Sequence, residues 1–171
     1  MNMDLMGVEN AEAKRFLHQF FSDRTINREF YEKIPEDKFD FRIVDTPKRK
    51  SDSPRESLAH QIDTERDYIN GIKNGDLKFR VIYDDLVKPI KLSKSELLQK
   101  LQDEDNELVK VLSNKEIDKK MVIVPWAKEP IGALSMIWAL DSHEILHTGW
   151  NLAVMDCLDI ERFQSLKEMW G

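Results

Sequence analysis

A chain of 171 residues with a formal net charge of −6, 34% charged and 41% hydrophobic, is long enough to form one domain, 1–171, around a proper core. The acidic balance excludes a general binder of nucleic acid or anionic membrane, which needs a basic footprint, and the one basic run, Lys48-Arg49-Lys50, reads as a solvated loop. No apolar run is long and charge-free enough to span a bilayer, the first residues lack a signal pattern, and the single cysteine, Cys157, permits no internal disulfide, so a cytoplasmic location is expected.

The first predicted helix covers 10–34 and ends before Pro35. Ala13, Phe16, Leu17, Phe20, Phe30, Tyr31 and Ile34 give it one apolar face. Asp23, Arg24 and Asn27 interrupt that stripe. They either line a pocket or meet water, and the general solvation of charged residues favours water. After a charged loop over 35–53, Ser53-Pro54-Arg55-Glu56 marks a helix start. Serine serves as N-cap, proline occupies the first helical position, and the glutamate three residues on completes a capping box. The second helix is predicted over 54–74, with Gly75 as C-cap and Leu58, Ile62, Ile69 and Ile72 inward. His60 falls roughly 200° from Leu58 on this helix, at about 100° per residue. Its own face carries Thr64, Asp67 and Gly71, which suits either solvent or a pocket wall.

The link over 76–92 is long enough for a crossover. Phe79, Val81 and Tyr83 alternate with Arg80 and Ile82, consistent with a short extended piece. Ser93-Lys94-Ser95-Glu96 is a second capping box, opening a third helix over 94–113 with a polar middle at 102–107. Residues 121–126 read as extended. Pro130 then starts a fourth helix that continues to 159, and the tail over 161–171 allows one more helical turn, with Phe163, Leu166 and Trp170 docking. These elements make an all-α, four-helix bundle with short extended segments in its links.

The fourth helix carries the chemistry. Met136, Leu140, His143, His147, Trp150, Val154 and Cys157 step by four and three along its inward stripe, so Cys157 is expected to be buried. Two histidines four apart point the same way and can share one ion, but a catalytic site of this kind normally takes three protein ligands. His143-Glu144-Ile145-Leu146-His147 matches the H-E-x-x-H metalloprotease pattern, in which the glutamate activates water. The longer protease form is absent, because Gly149 is misplaced and no histidine follows. Glu144 is a candidate base or an orienter of its neighbouring histidine, although a surface position is the simpler expectation. Gly149 is expected to admit the close approach of a neighbouring element.

A longer pattern resembles another family. Ser53-Pro54-Arg55-Glu56-Ser57-Leu58-Ala59-His60-Gln61-Ile62 is similar to the second helix of the DinB-like superfamily, which includes YfiT-like metal-dependent hydrolases and bacterial thiol S-transferases. His143-x-x-x-His147-x-Gly149 resembles its fourth helix, and Leu166-Lys167-Glu168-Met169-Trp170-Gly171 its close. The sequence departs from that pattern at Ser51-Asp52, Thr148 and Trp150.

The resemblance implies a long crossover between helices 2 and 3. It also implies a divalent ion, zinc or nickel before iron or copper, held by His60, His143 and His147, and a homodimer acting on a small-molecule substrate. His18 matches no ligand position and is expected at the surface. The implied activity is transfer of a low-molecular-weight thiol to an electrophile, or hydrolysis by activated water. A neutral three-histidine site leaves the ion its full charge for that purpose. Asp23, Arg24, Asn27 and Glu104 are secondary candidates for pocket lining. The alternatives are a non-enzymatic metal-binding stress protein and, beyond it, a plain helical interaction module.

Overall fold

Three of the four long helices start where a side chain takes up their first free N–H groups, and the fourth starts behind a glycine with no such cap. The computed structural model describes residues 5, 7–79 and 92–170. Helix α1 spans Ala11–Lys33, and the Asn10 side chain accepts from Glu12 N and Ala13 N. Helix α2 spans Pro54–Asn74, with both halves of the Ser53/Glu56 capping box formed and Gly75 as a left-handed C-cap (φ 75°). Helix α3 spans Lys94–Leu112 with the Ser93/Glu96 box, α4 spans Ala133–Leu158, and a short α5 covers Gln164–Trp170.

The fourth helix begins three residues later than its sequence suggests. Ile131–Gly132 (β2) instead pairs antiparallel with Met121–Val122 (β1), so the backbone after Pro130 is used by a two-stranded ladder. The expected extended piece beyond Phe79 lies outside the described residues.

Side-chain pairs fix the helix directions. Arg24 meets Glu65 and Tyr31 meets Ser57, so α1 and α2 run opposite ways. Arg66 pairs with Glu104 and Lys73 with Glu107, so α2 and α3 run the same way. Glu12 accepts from Trp138 while Asn27 meets Glu144 and Asn151, so α1 and α4 are also parallel. Two consecutive parallel helices require the chain to travel the length of the bundle between them. That is the expected crossover between α2 and α3.

The core is divided in two. One apolar cluster, containing Phe16, Phe20, Ile69, Ile72, Leu112 and Met136, fills one end. A second, containing Phe30, Phe39, Leu58, Ile62, Leu101 and Val154, fills the other, with Phe163 and Leu166 of the tail buried against it. The side chain of Trp170 lies outside the described residues. Between the clusters is a layer of buried polar side chains from all four helices, centred on Arg24, which is 0% exposed. Asp23, Arg24 and Asn27 therefore do not meet solvent as expected.

Two glycines show opposite environments. A Cβ at Gly71 would lie 3.1 Å from the backbone of Leu77, so the crossover leaves α2 in close contact with it. Gly149 has nothing within 4 Å of such an atom, contrary to the expected close approach. Cys157 is exposed, because the last turn of α4 has rotated its stripe off the core.

Candidate metal centre

Antiparallel packing sets His60, early on α2, against His143 and His147 at the middle of α4. His143 Nε2 lies 3.0 Å from His60 Nε2 and 3.2 Å from His147 Nε2. One ligand atom from each ring falls within 4.8 Å of the others. Nitrogens bound to one tetrahedral ion at 2.0–2.1 Å would stand about 3.3 Å apart, so the spacing suits a shared cation. Three lone pairs at this distance repel each other unless a proton or a cation lies between them.

The rings are half-buried. Burial, reinforced by the neighbouring imidazoles and Arg24, pushes His143 down to about 4 and His147 down to about 2. Burial also lowers His60, partly offset by Asp52. The donor set is thus neutral near neutral pH, the state a metal requires, and three imidazoles fit a divalent transition ion. His60 was the position periodicity could not place. It reaches the site because α2 is packed on several sides, burying Ala59, Gln61 and Thr64 as well as its apolar stripe.

Behind the histidines lies a hydrogen-bonded network that sequence reasoning missed. His147 Nδ1 is 2.8 Å from Ser57 Oγ, and Ser57 Oγ is 3.0 Å from the Tyr31 hydroxyl. Gln61 bonds the same hydroxyl. With its amide nitrogen toward Glu144, Gln61 also donates to both carboxylate oxygens at 3.2 Å. Glu144 is 1% exposed, so the expected surface glutamate is instead a buried one. Asn27 Nδ2 donates to its Oε1 at 2.7 Å, and Arg24 Nη2 is 3.4 Å from its Oε2. Arg24 also stands 2.9 Å from Glu65 and 3.6 Å from Asp105, both buried.

Burial pushes Glu65 well up and Asp105 up to about 6, with the Arg24 charge opposing. Burial raises Glu144 too, against the pull of Arg24 and Asn27. Asp141 is raised to about 6 by burial, with Asp23 and Glu144 adding to it. Glu104 is half-buried and bound to Arg66, so it joins the α2–α3 contact and not the histidine cluster. His18 is exposed on α1, as expected.

A signal for this network was present in the sequence. Ser57, Gln61 and Glu65 step by four along α2, Asp23, Asn27 and Tyr31 step by four along α1, and Glu144, Thr148 and Asn151 step by four and then three along α4. These are polar stripes at helical period inside helices that are otherwise apolar on that face.

No protein-family model matches the sequence, and no curated relative was found. Among solved structures, the chain is similar to YjoA, a DinB-like protein from Bacillus subtilis, with a TM-score of 0.61 at 18% identity. The match covers 85% of this chain and 92% of that one. With its four long helices and the crossover between α2 and α3, the chain has the fold of a DinB-like protein.

Proposed function

We propose that this protein is divalent-metal-dependent, with His60, His143 and His147 as its ligands, and that it activates a low-molecular-weight thiol for transfer to an electrophile. Hydrolysis is the close variant. The observation that carries the reading is the meeting of three Nε2 atoms from two antiparallel helices. Zinc or nickel is the expected ion, and iron and copper also suit three imidazoles. When bound, such an ion supplies positive charge that favours thiolate over thiol and acidifies water. The chain's own part is to hold three neutral rings at fixed angles and to add no anionic ligand that would cancel the ion's charge.

A second reading keeps the ion but gives it a structural role, tying α2 to α4. One observation favours it: Glu144, the carboxylate beside His143, is engaged by Arg24, Asn27 and Gln61 and so offers no free base. The same engagement removes support for an H-E-x-x-H protease, whose glutamate must reach the water. The test is metal analysis of protein made without an affinity tag, followed by turnover of a thiol and electrophile panel. Near-stoichiometric metal that is lost in His147→Ala supports the site, and wild-type protein without metal sinks it. Metal without turnover selects the structural reading.

A further inference from the structure

The ligand His147 is held at both ring nitrogens. Its Nε2 faces the other histidines and its Nδ1 faces Ser57 at 2.8 Å. A neutral imidazole carries one proton, so the two faces are linked: a proton on Nδ1 leaves Nε2 free to bind, and a proton on Nε2 blocks it. Which case holds depends on the direction of the hydrogen bonds running away from Ser57.

That direction is set at the far end. Glu144 already receives Asn27 Nδ2 at 2.7 Å on Oε1 and faces Arg24 Nη2 at 3.4 Å from Oε2, so both its oxygens are acceptors. Gln61 sits 3.2 Å from both oxygens. It must turn its amide N–H groups toward them, because an amide oxygen there would face a carboxylate with no hydrogen between. Its oxygen then accepts from the Tyr31 hydroxyl. Burial pushes the Tyr31 phenol up, so it keeps the proton it donates. With that proton spent on Gln61, Tyr31 accepts from Ser57 at 3.0 Å. Ser57, its single proton given to Tyr31, accepts from His147 Nδ1. Every bond in the sequence His147, Ser57, Tyr31, Gln61, Glu144 donates in the same direction.

We propose that Ser57 is a positioning residue for His147, heading a one-way chain of hydrogen bonds anchored on Glu144 that keeps the imidazole proton on Nδ1 and leaves the Nε2 lone pair facing the other two histidines. The role rests on the metal reading only for its purpose, since the tautomer exists without any ion. His143 provides the internal contrast. Its Nδ1 is buried with no hydrogen-bond partner among the described residues, so nothing comparable fixes its proton.

The experiment is nitrogen NMR of histidine-labelled, metal-free protein at about pH 8, above the ordinary histidine range. Wild type should show His147 protonated on Nδ1 and bare on Nε2. Ser57→Ala should shift His147 toward the Nε2–H form and weaken metal binding about 10–100-fold with the helical content intact. Tyr31→Phe leaves the Ser57 proton without its acceptor and should produce a smaller shift in the same direction. A wild-type His147 carrying its proton on Nε2 overturns the proposal without need of any variant. So does Ser57→Ala with an unchanged tautomer or unchanged metal affinity. Wild-type protein that binds no metal but shows the Nδ1–H form overturns the metal reading alone.

Discussion

Replacing Arg24 by methionine keeps the bulk of the side chain and deletes a guanidinium that three buried carboxylates share. Glu65, Glu144 and Asp105 stand 2.9, 3.4 and 3.6 Å from it, and all four side chains are at most 1% exposed. At an effective dielectric near 20 each pair attracts by about 5 kcal/mol. Repulsion among the carboxylates and the desolvation of four charges offset most of that sum. The net loss on removing one partner of such a set is about 3–5 kcal/mol, a large share of the roughly 5–15 kcal/mol that holds a domain folded.

The sign of its pH dependence identifies the cause. Without Arg24 the three carboxyls have folded-state pKa values raised further above their unfolded ones. Such groups stabilise at low pH, and that stability is lost as pH rises through the folded values. The deficit of Arg24→Met should therefore grow between about pH 5 and about pH 8. Urea unfolding of metal-free protein, followed by tryptophan fluorescence at both pH values, measures it. A deficit below about 1 kcal/mol, or one that does not change with pH, would mean that the guanidinium only fills space.

Two further outcomes follow from the same geometry. In metal-free protein, His143 and His147 are depressed to about 4 and about 2 in the folded state. The unfolded chain binds their protons first, so stability should fall as pH drops below about 6.5, by roughly 1–2 kcal/mol per histidine at about pH 5. In His143→Asn/His147→Asn most of this acid loss should vanish, with only the share of His60 left. The raised carboxyls, Glu65 and Glu144 together with Asp105 and Asp141 at about 6, then oppose only the smaller acid loss at His60 and should make stability rise from about pH 6 toward pH 4. A double variant with the wild-type acid profile refutes the assignment. Gly149→Ala should stabilise by about 0.5–1 kcal/mol, since the helix gains a better former and the new methyl meets nothing. Gly71→Ala should destabilise, because its methyl would press on Leu77 at 3.1 Å; thermal melts showing the same sign for both would contradict this.

Helix boundaries were legible because they are written locally. Ser53-Pro54 with Glu56, Ser93 with Glu96, and Gly75 act within a few residues of themselves, and α2 and α3 start where those boxes place them. The start of α4 was misplaced because the backbone at Ile131–Gly132 is claimed by Met121–Val122, a partner about ten residues upstream that no capping rule considers. Arg24 and Glu144 were misread for a related reason. A charged residue is solvated unless counter-charges are brought to it, and those counter-charges come from α2, α3 and α4. Cys157 failed differently: a stripe read off a helix of 26 residues drifts, and at its last turn it no longer faces the core.

The buried layer is hard to justify as a source of stability. A well-packed apolar layer of the same volume would often be as stable or more so, since four buried charges must first be stripped of water. What an apolar layer lacks is direction. Leucines tolerate a helix turning or sliding by a fraction of a residue, whereas Asn27 donates to both the backbone oxygen and the side chain of Glu144 and accepts from Asn151 and Thr148. These bonds hold only at one rotation of α4 against α1. The Ser57–His147 bond does the same for α4 against α2. Three ring nitrogens must meet within tenths of an ångström to hold one ion, and two of them ride on α4 while the third rides on α2. The polar layer therefore fixes the one rotational setting at which His60, His143 and His147 converge. This accounts for its place beside the histidines, between the two apolar clusters.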